Sequence, residues 1–215
     1  MITVITHHNP NRNIDIMRCI QSVNSALQPG DKHLFIECEG TSYNDFAKAR
    51  FDALKLGDYV CFVDDDDYIS KNALFMARQC IIENPGLGLY FTRESKDCGG
   101  VIIPCKAGEN YENLIGSPTS IHHLCIFNTK YIDKDILSMA FQTGCGIEWI
   151  MRCWFGLQYG AIHMPIDGYY YCLHKHQLSA NMAKNFFDNR SFFKGVFAGW
   201  QKYYGSIPIY TLPEY

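Results

Sequence analysis

Four consecutive carboxylates, Asp64-Asp65-Asp66-Asp67, follow the apolar run Tyr59-Val60-Cys61-Phe62-Val63. Like charges this close repel one another, so a strand that ends in them implies a cation held at its tip. Hard oxygen donors suit Mg²⁺ or Mn²⁺, and a coordination sphere only half filled by protein leaves positions for substrate phosphates. The competing reading is a solvated acidic turn, the ordinary fate of a charge run. The surrounding elements decide between the two.

In the first half of the chain those elements alternate. Residues 2–6 are β-branched and apolar, a strand that breaks at His7-His8-Asn9-Pro10-Asn11. Ile14, Met17, Cys19, Ile20, Val23 and Leu27 recur at helical spacing until Pro29-Gly30 stops them. Leu34-Phe35-Ile36 reads as a second strand ending at Glu37-Cys38-Glu39-Gly40, and Phe46, Ala49, Phe51, Ala53 and Leu54 continue as a helix closed by Gly57. Tyr59–Val63 is the third strand, and Ala73–Ile82 the helix after the acidic run. Three strand-then-helix units predict an α/β fold with a mixed, mainly parallel sheet covered by helices. Ligands of such sheets bind outside the carboxyl ends of the strands. His7–Asn9, Glu37–Glu39 and Asp64–Asp67 all fall at those ends, so three polar clusters converge on one crevice.

Shorter strands are expected beyond, at Leu87–Thr92, Val101–Pro104 and His122–Phe127, joined by turns rich in glycine. A helix from Ile147 to Tyr159 and strands at Ala161–Met164 and Tyr169–Leu173 follow. No repeat or linker divides the chain, which predicts a single compact domain over residues 1–180. Residues 181–215 are expected to form a helical, basic and aromatic extension packed on it. From Lys175 to Tyr204 the chain carries Lys175, Lys184, Arg190, Lys194 and Lys202 against only Asp188, among many Phe, Tyr and Trp. Such a stretch is the packing face of terminal helices, or a surface for nucleic acid or a membrane.

The composition is that of a globular protein with a net charge of −3. No apolar run approaches the roughly 20 residues that cross a bilayer, and the N-terminus reads as a strand instead of a signal peptide. The ten cysteines are scattered without a Cys-x-x-Cys pair, which argues against a zinc ribbon and for a reducing, cytoplasmic compartment.

Taken in order, Thr6-His7-His8-Asn9-Pro10-Asn11-Arg12, Ile20-Gln21-Ser22-Val23, Cys38-Glu39-Gly40-Thr41 and Ala49-Arg50-Phe51 lead to the long segment Gly57-Asp58-Tyr59-Val60-Cys61-Phe62-Val63-Asp64-Asp65-Asp66-Asp67. The series resembles the motifs of the GT-A nucleotide-sugar glycosyltransferases of the large family 2 type. The resemblance runs from residue 1 to about 180 and implies a Rossmann-like GT-A domain. Its nucleotide-sugar-binding half is 1–105 and its acceptor and catalytic half 106–180.

The resemblance also implies roles. Glu39 stands where the family reads the uracil of a UDP-sugar, His7 and Arg50 beside the nucleotide, Asp64 near the ribose, and Asp65 in support of the donor site. Asp66 stands on the metal, Mn²⁺ or Mg²⁺; adjacent carboxylates cannot be ranked from sequence, so Asp67 is the alternative. Tyr171-Cys172-Leu173-His174 resembles a C-terminal signature whose His contacts metal or diphosphate, with Cys172 in place of Arg, and Lys175 adds charge for phosphate. Gly146-Ile147-Glu148-Trp149 occupies the place of a Glu-Asp pair that carries the catalytic base. Trp149 replaces the usual Asp and leaves Glu148 as the nearest carboxylate able to deprotonate an acceptor hydroxyl. Glu148 has a structural alternative, a helix-start charge paired with Arg152.

The implied activity is metal-dependent transfer of a sugar from a nucleoside-diphosphate sugar, a UDP-sugar, to an acceptor hydroxyl by inversion; the loss of the usual Asp leaves retention open. A glycan or a hydroxylated base in phage-type DNA fits as acceptor. Two alternatives stand beside it: a nucleotide-sugar or nucleic-acid binding module without turnover, and a nucleotidyltransferase. The latter calls for a Gly-rich basic loop after the first strand, which His7–Asn11 is not.

Overall fold

Strand β1 (Ile2–His8) is buried along almost its whole length, as its apolar, β-branched sequence requires of a strand covered on both faces. It pairs in parallel with β2 (Lys32–Glu37) on one side and β3 (Tyr59–Phe62) on the other. The structure, a computed structural model, describes residues 1–12, 14–38, 42–105, 121, 123–144, 146–174 and the backbone of 209–211. Helix α1 (Met17–Ala26) connects the first two strands and turns Cys19, Val23 and Ala26 inward at helical spacing. Helix α2 (Tyr43–Ala53) starts at Ser42, whose Oγ accepts the Asp45 N–H at 3.2 Å, an N-cap worth ~1 kcal/mol. Helix α3 (Ala73–Glu83) follows the acidic run and the short strand β4 (Tyr68–Ile69). The expected strand and helix alternation is therefore present.

The second half contributes β5 (Leu89–Asp97), β6 (Ile102–Cys105), β7 (Cys125–Asn128), α4 (Lys134–Thr143), α5 (Ile147–Tyr159), β8 (Ala161–Cys172) and β9 (Ile209–Thr211). The sheet order is β2-β1-β3-β7-β5-β8-β4, with β6 on β5 and β9 on β8. Strand β7 runs against both of its neighbours, and β8 is parallel to β5. In consequence β1, β2, β3, β5 and β8 all end at the same edge of this mixed sheet.

Four features depart from the sequence expectation, two of them the short strands β4 and β9. The strands expected at 161–164 and 169–173 are one twelve-residue strand, β8, that runs through Pro165. The β5/β8 register shifts between Thr92, Arg93 and Glu94, opposite this stretch, so an irregularity absorbs the proline's missing donor. Helix α4 has no expected counterpart, although its ends carry ordinary signals. The Asp133 side chain accepts the Asp135 N–H at 2.9 Å, and Gly144 ends the helix in the left-handed region at φ 63°.

Helices α1 and α3 cover one face of the sheet over Val4, Cys61, Val63, Tyr90, Ile126 and Ile162. Helices α2, α4 and α5 cover the other over Ile5, Val60, Phe62, Leu89, Phe91 and Phe127. Helix α5 is buried almost all round, with Trp149, Ile150 and Phe155 in the core, which matches its nearly continuous apolar sequence. These layers make one compact α/β domain. Among the described residues no helix is long and apolar enough to cross a membrane. The extension expected over 181–215 lies outside the described residues except for Ile209–Thr211, which add a strand beside Ala161–His163.

Candidate active site

The common carboxyl edge gathers the ends of β1, β3 and β8, which bring His7 and His8, Asp64–Asp67, and Tyr169–His174 together. The acidic run is a turn closed by the Asp67 N–H donating to the Asp64 carbonyl at 3.1 Å. That turn sorts its four carboxylates. The side chains of Asp65 and Asp67 are 1 % exposed, while those of Asp64 and Asp66 are 31 % and 13 % exposed.

The inward pair is bonded into the fold. Asp67 Oδ2 accepts the Tyr169 hydroxyl at 2.7 Å and Oδ1 accepts the Cys172 N–H at 2.7 Å. Burial, with the nearby Asp64 charge, raises its pKa well above the usual carboxylate range. The Tyr169 hydroxyl in turn accepts the Asp64 N–H at 3.2 Å, so one buried phenol ties β8 to both ends of the turn. Asp65 Oδ2 meets His8 Nδ1 at 2.7 Å and Oδ1 accepts from Arg12 Nη1 at 3.0 Å. Burial raises its pKa, against the His8 hydrogen bond and the Arg12 charge.

The outward pair faces cations. Asp66 Oδ2 accepts from Arg12 Nη2 at 2.7 Å and lies 2.9 Å from His174 Nε2. Asp64 Oδ1 accepts from Arg50 Nη2, and the same nitrogen lies 3.2 Å from Glu148 Oε1. Arg50 is 2 % exposed, with its guanidinium against the rings of Phe46 and Phe62 at 4.9 and 4.6 Å. Burial opposes its charge, but Asp64 and Glu148 outweigh it and hold the pKa above the ordinary arginine value. Arg50 thus clasps the end of β3 to the first turn of α5.

His7 is buried beside Arg50 and stacks on Phe62 at 5.8 Å. Burial, reinforced by the Arg50 charge, lowers its pKa to about 3, so it is a neutral ring at physiological pH. Trp149 is 1 % exposed and belongs to the core, so the position after Glu148 packs a helix against the sheet and presents nothing to solvent. Glu148 lines a small cleft together with Phe62, His123, Cys125, Phe127, Met151 and Arg152. His123 stacks on Tyr169 at 4.5 Å, which joins the cleft to the acidic turn.

The structure therefore brings together His7, Arg50, Asp64, Asp65, Asp66, Asp67, Glu148 and His174. Glu39 and Lys175 lie outside the described residues. Reasoning from sequence assigned no role to Arg12, His8 or Tyr169. His8 carried a usable signal, since adjacent residues of a strand point to opposite faces and a partner for each half of the His7-His8 pair could have been sought.

Among the described residues no three His, Cys, Asp or Glu side chains cluster as a metal cage. Asp66 and His174 nevertheless form an oxygen and nitrogen pair at 2.9 Å, about the spacing of neighbouring ligands at ~2.1 Å from one octahedral ion. Mg²⁺ and its analogues are commonly held by one or two carboxylates plus substrate phosphates. The donor set fits a divalent ion that arrives with a phosphorylated ligand.

A sheet with this order, its acidic turn at the common carboxyl edge and helices on both faces, has the GT-A fold. No protein-family model matches the chain, and no curated protein matches it in sequence. Among solved structures the chain is similar to S. aureus TarS 1–349 in complex with UDP-GlcNAc, at 14% identity and TM-score 0.59, over 95% of this chain and 73% of that one. It is similar also to TarS 1–349 in complex with UDP, at 16% identity and TM-score 0.61, over 91% and 64%. Against S. aureus TarS itself the figures are 15% and 0.58, over 93% and 43%. At such identities the similarity is one of fold.

Proposed function

We propose that this chain is a glycosyltransferase that takes a sugar from a nucleoside-diphosphate sugar, a UDP-sugar, and passes it to an acceptor hydroxyl. One observation carries the reading: the acidic turn at the carboxyl edge of a GT-A sheet holds both the Asp66–His174 pair and Asp64, which Arg50 ties to Glu148. The same fold in TarS binds UDP-GlcNAc.

Asp66 and His174 hold the divalent ion, Mn²⁺ or Mg²⁺. Asp67 is the poorer candidate, since both of its oxygens are buried and engaged. Bound there, the ion supplies Lewis acidity and charge neutralisation for a departing diphosphate. The chain's own residues do the rest. The roles proposed are Asp64 for the nucleoside, with His7 and Asp65 in support, and Glu39 for the base and Lys175 for the phosphates. Arg50 fixes Glu148 relative to Asp64. The cleft beside Glu148, lined also by Phe62, His123 and Arg152, is where the acceptor hydroxyl meets the donor sugar. Glu148 removes the proton of the attacking hydroxyl as that oxygen bonds to the anomeric carbon and the bond to the diphosphate oxygen breaks. Attack opposite the leaving group inverts the configuration. The acceptor is a glycan or a hydroxylated base in DNA, met in a reducing, cytoplasmic compartment that suits the nine described free cysteines.

Calorimetry with UDP and Mn²⁺, followed by a screen of nucleotide sugars for metal-dependent hydrolysis, tests this function. Binding of UDP that Mn²⁺ strengthens, lost in Asp66→Ala, is expected; no metal-dependent binding of any nucleotide would sink it. Salt-sensitive retention on duplex DNA separates the two acceptor classes. A second reading, a donor-binding module without turnover, is favoured by the burial of Trp149 where the usual base would stand. Detectable donor hydrolysis excludes it.

A further inference from the structure

Resting on that donor site, we propose that Arg12 is the resident counter-cation of the acidic turn and couples metal binding to diphosphate binding. Without donor its guanidinium holds Asp65 and Asp66. When a divalent ion takes Asp66, the same guanidinium turns to the donor's diphosphate.

The geometry is that of a fork across two carboxylates, Nη1 on Asp65 at 3.0 Å and Nη2 on Asp66 at 2.7 Å, each a charge-assisted bond. The two ends are not equivalent. Asp65 is 1 % exposed and is also held by His8, whereas Asp66 is 13 % exposed and shares Oδ2 with His174. The Asp65 end is an anchor and the Asp66 end faces the ligand. Arg12 itself is 18 % exposed, and its loop is fixed at the backbone. The Arg12 N–H donates to the Asn9 carbonyl at 2.9 Å, and the Asn11 N–H to Asn9 Oδ1 at 2.9 Å. The guanidinium can therefore change partners without undoing the turn that carries it. Arg50 cannot, since it is buried under Asp64 and Glu148.

Electrostatics then sets the order of events. A divalent ion on Asp66 must share that carboxylate with a guanidinium 2.7 Å from its oxygen, and the two cations repel. A diphosphate removes the conflict, because its oxygens accept the guanidinium fork as a carboxylate does. Metal and diphosphate should each bind weakly alone and strongly together, and linkage makes that coupling equal in both directions.

The test is Mn²⁺ titration of the full chain by electron paramagnetic resonance, with and without UDP, on wild type, Arg12→Gln and Arg12→Lys, with thermal melts alongside. Wild type should gain on the order of 10- to 100-fold in Mn²⁺ affinity when UDP is present. Arg12→Gln should bind Mn²⁺ alone about tenfold tighter than wild type, and its gain with UDP should shrink by a similar factor. Arg12→Lys keeps a cation but loses the fork, so it should bind Mn²⁺ alone as wild type does and lose part of the gain. That variant also carries the test if Arg12→Gln melts too low to titrate. Equal Mn²⁺ affinity in all three proteins with an undiminished gain overturns the proposal and leaves the donor site standing. Wild type that binds no UDP at any Mn²⁺ concentration, while Arg12→Gln still binds Mn²⁺ more tightly, overturns the donor reading and leaves the counter-cation role supported.

Discussion

Acidification from pH 7 to pH 5 should weaken this protein through two buried histidines. His7 stacks on Phe62 and His163 on Phe91 at 5.1 Å. Burial first, then the Arg50 charge, lowers the pKa of His7 to about 3. Burial, then Arg93, lowers that of His163 to about 4. In the unfolded chain both rings titrate near ~6.5. A folded pKa below the unfolded one gives stability that is present above ~6.5 and lost as pH falls toward the folded values. At ~1.4 kcal/mol per pH unit, the step from pH 7 to pH 5 removes about 2 kcal/mol for each ring. The sum, about 4 kcal/mol, is a large part of the ~5–15 kcal/mol that holds a typical domain together. Asp65 and Asp67 have raised values and act in the opposite direction, so wild type alone does not isolate the histidines. Urea denaturation at pH 5, 6 and 7 of wild type, His7→Phe and His163→Phe does, because phenylalanine keeps each ring stack without the titration. Each variant should lose about 2 kcal/mol less than wild type over this range. Variants that lose as much as wild type would refute the assignment of buried neutral rings.

Three further outcomes are expected. Arg50→Met strands Asp64 and Glu148; breaking a buried pair costs ~3–5 kcal/mol, and the partners' 31 % and 25 % exposure lowers this to about 2. For a domain of this size that is a fall in Tm of ~4–8 °C, and calorimetry showing no fall contradicts the clasp. Glu148→Gln should lower kcat by ~10²–10⁴ while UDP affinity stays within about twofold; a variant as active as wild type moves the base elsewhere. Gly88→Ala places a Cβ 2.3 Å from the Phe155 carbonyl oxygen and 2.8 Å from Tyr159 Cβ, and should destabilise by ~1–3 kcal/mol in urea denaturation.

The strand and helix alternation of the first half was legible because strands buried on both faces are continuous apolar runs. The same reasoning put His7 and the acidic run at one edge. Helix α4 was missed although Asp133 and Gly144 mark its ends and Ile136, Leu137, Met139 and Ala140 pack on the core; the exposed Phe141 beside them blurs the helical period. The fusion of β8 through Pro165 was not legible, since the proline is tolerated only by a register shift that β5 supplies. Tyr169 escaped notice for a related reason: its partner Asp67 stands 102 positions away, and nothing local in either segment reports the other.

Residue order alone was enough to cluster carboxylates after a buried strand, near a histidine and a glutamate, on an α/β scaffold. Local composition and period carry that much. It could not rank four identical neighbours. Their ranking came from the tertiary structure, where the turn sends Asp65 and Asp67 inward to His8, Arg12, Tyr169 and the Cys172 N–H, and leaves Asp64 and Asp66 facing Arg50, Arg12 and His174. Burial and partner charge separate chemically equal side chains, and both depend on segments that meet only when the sheet is assembled.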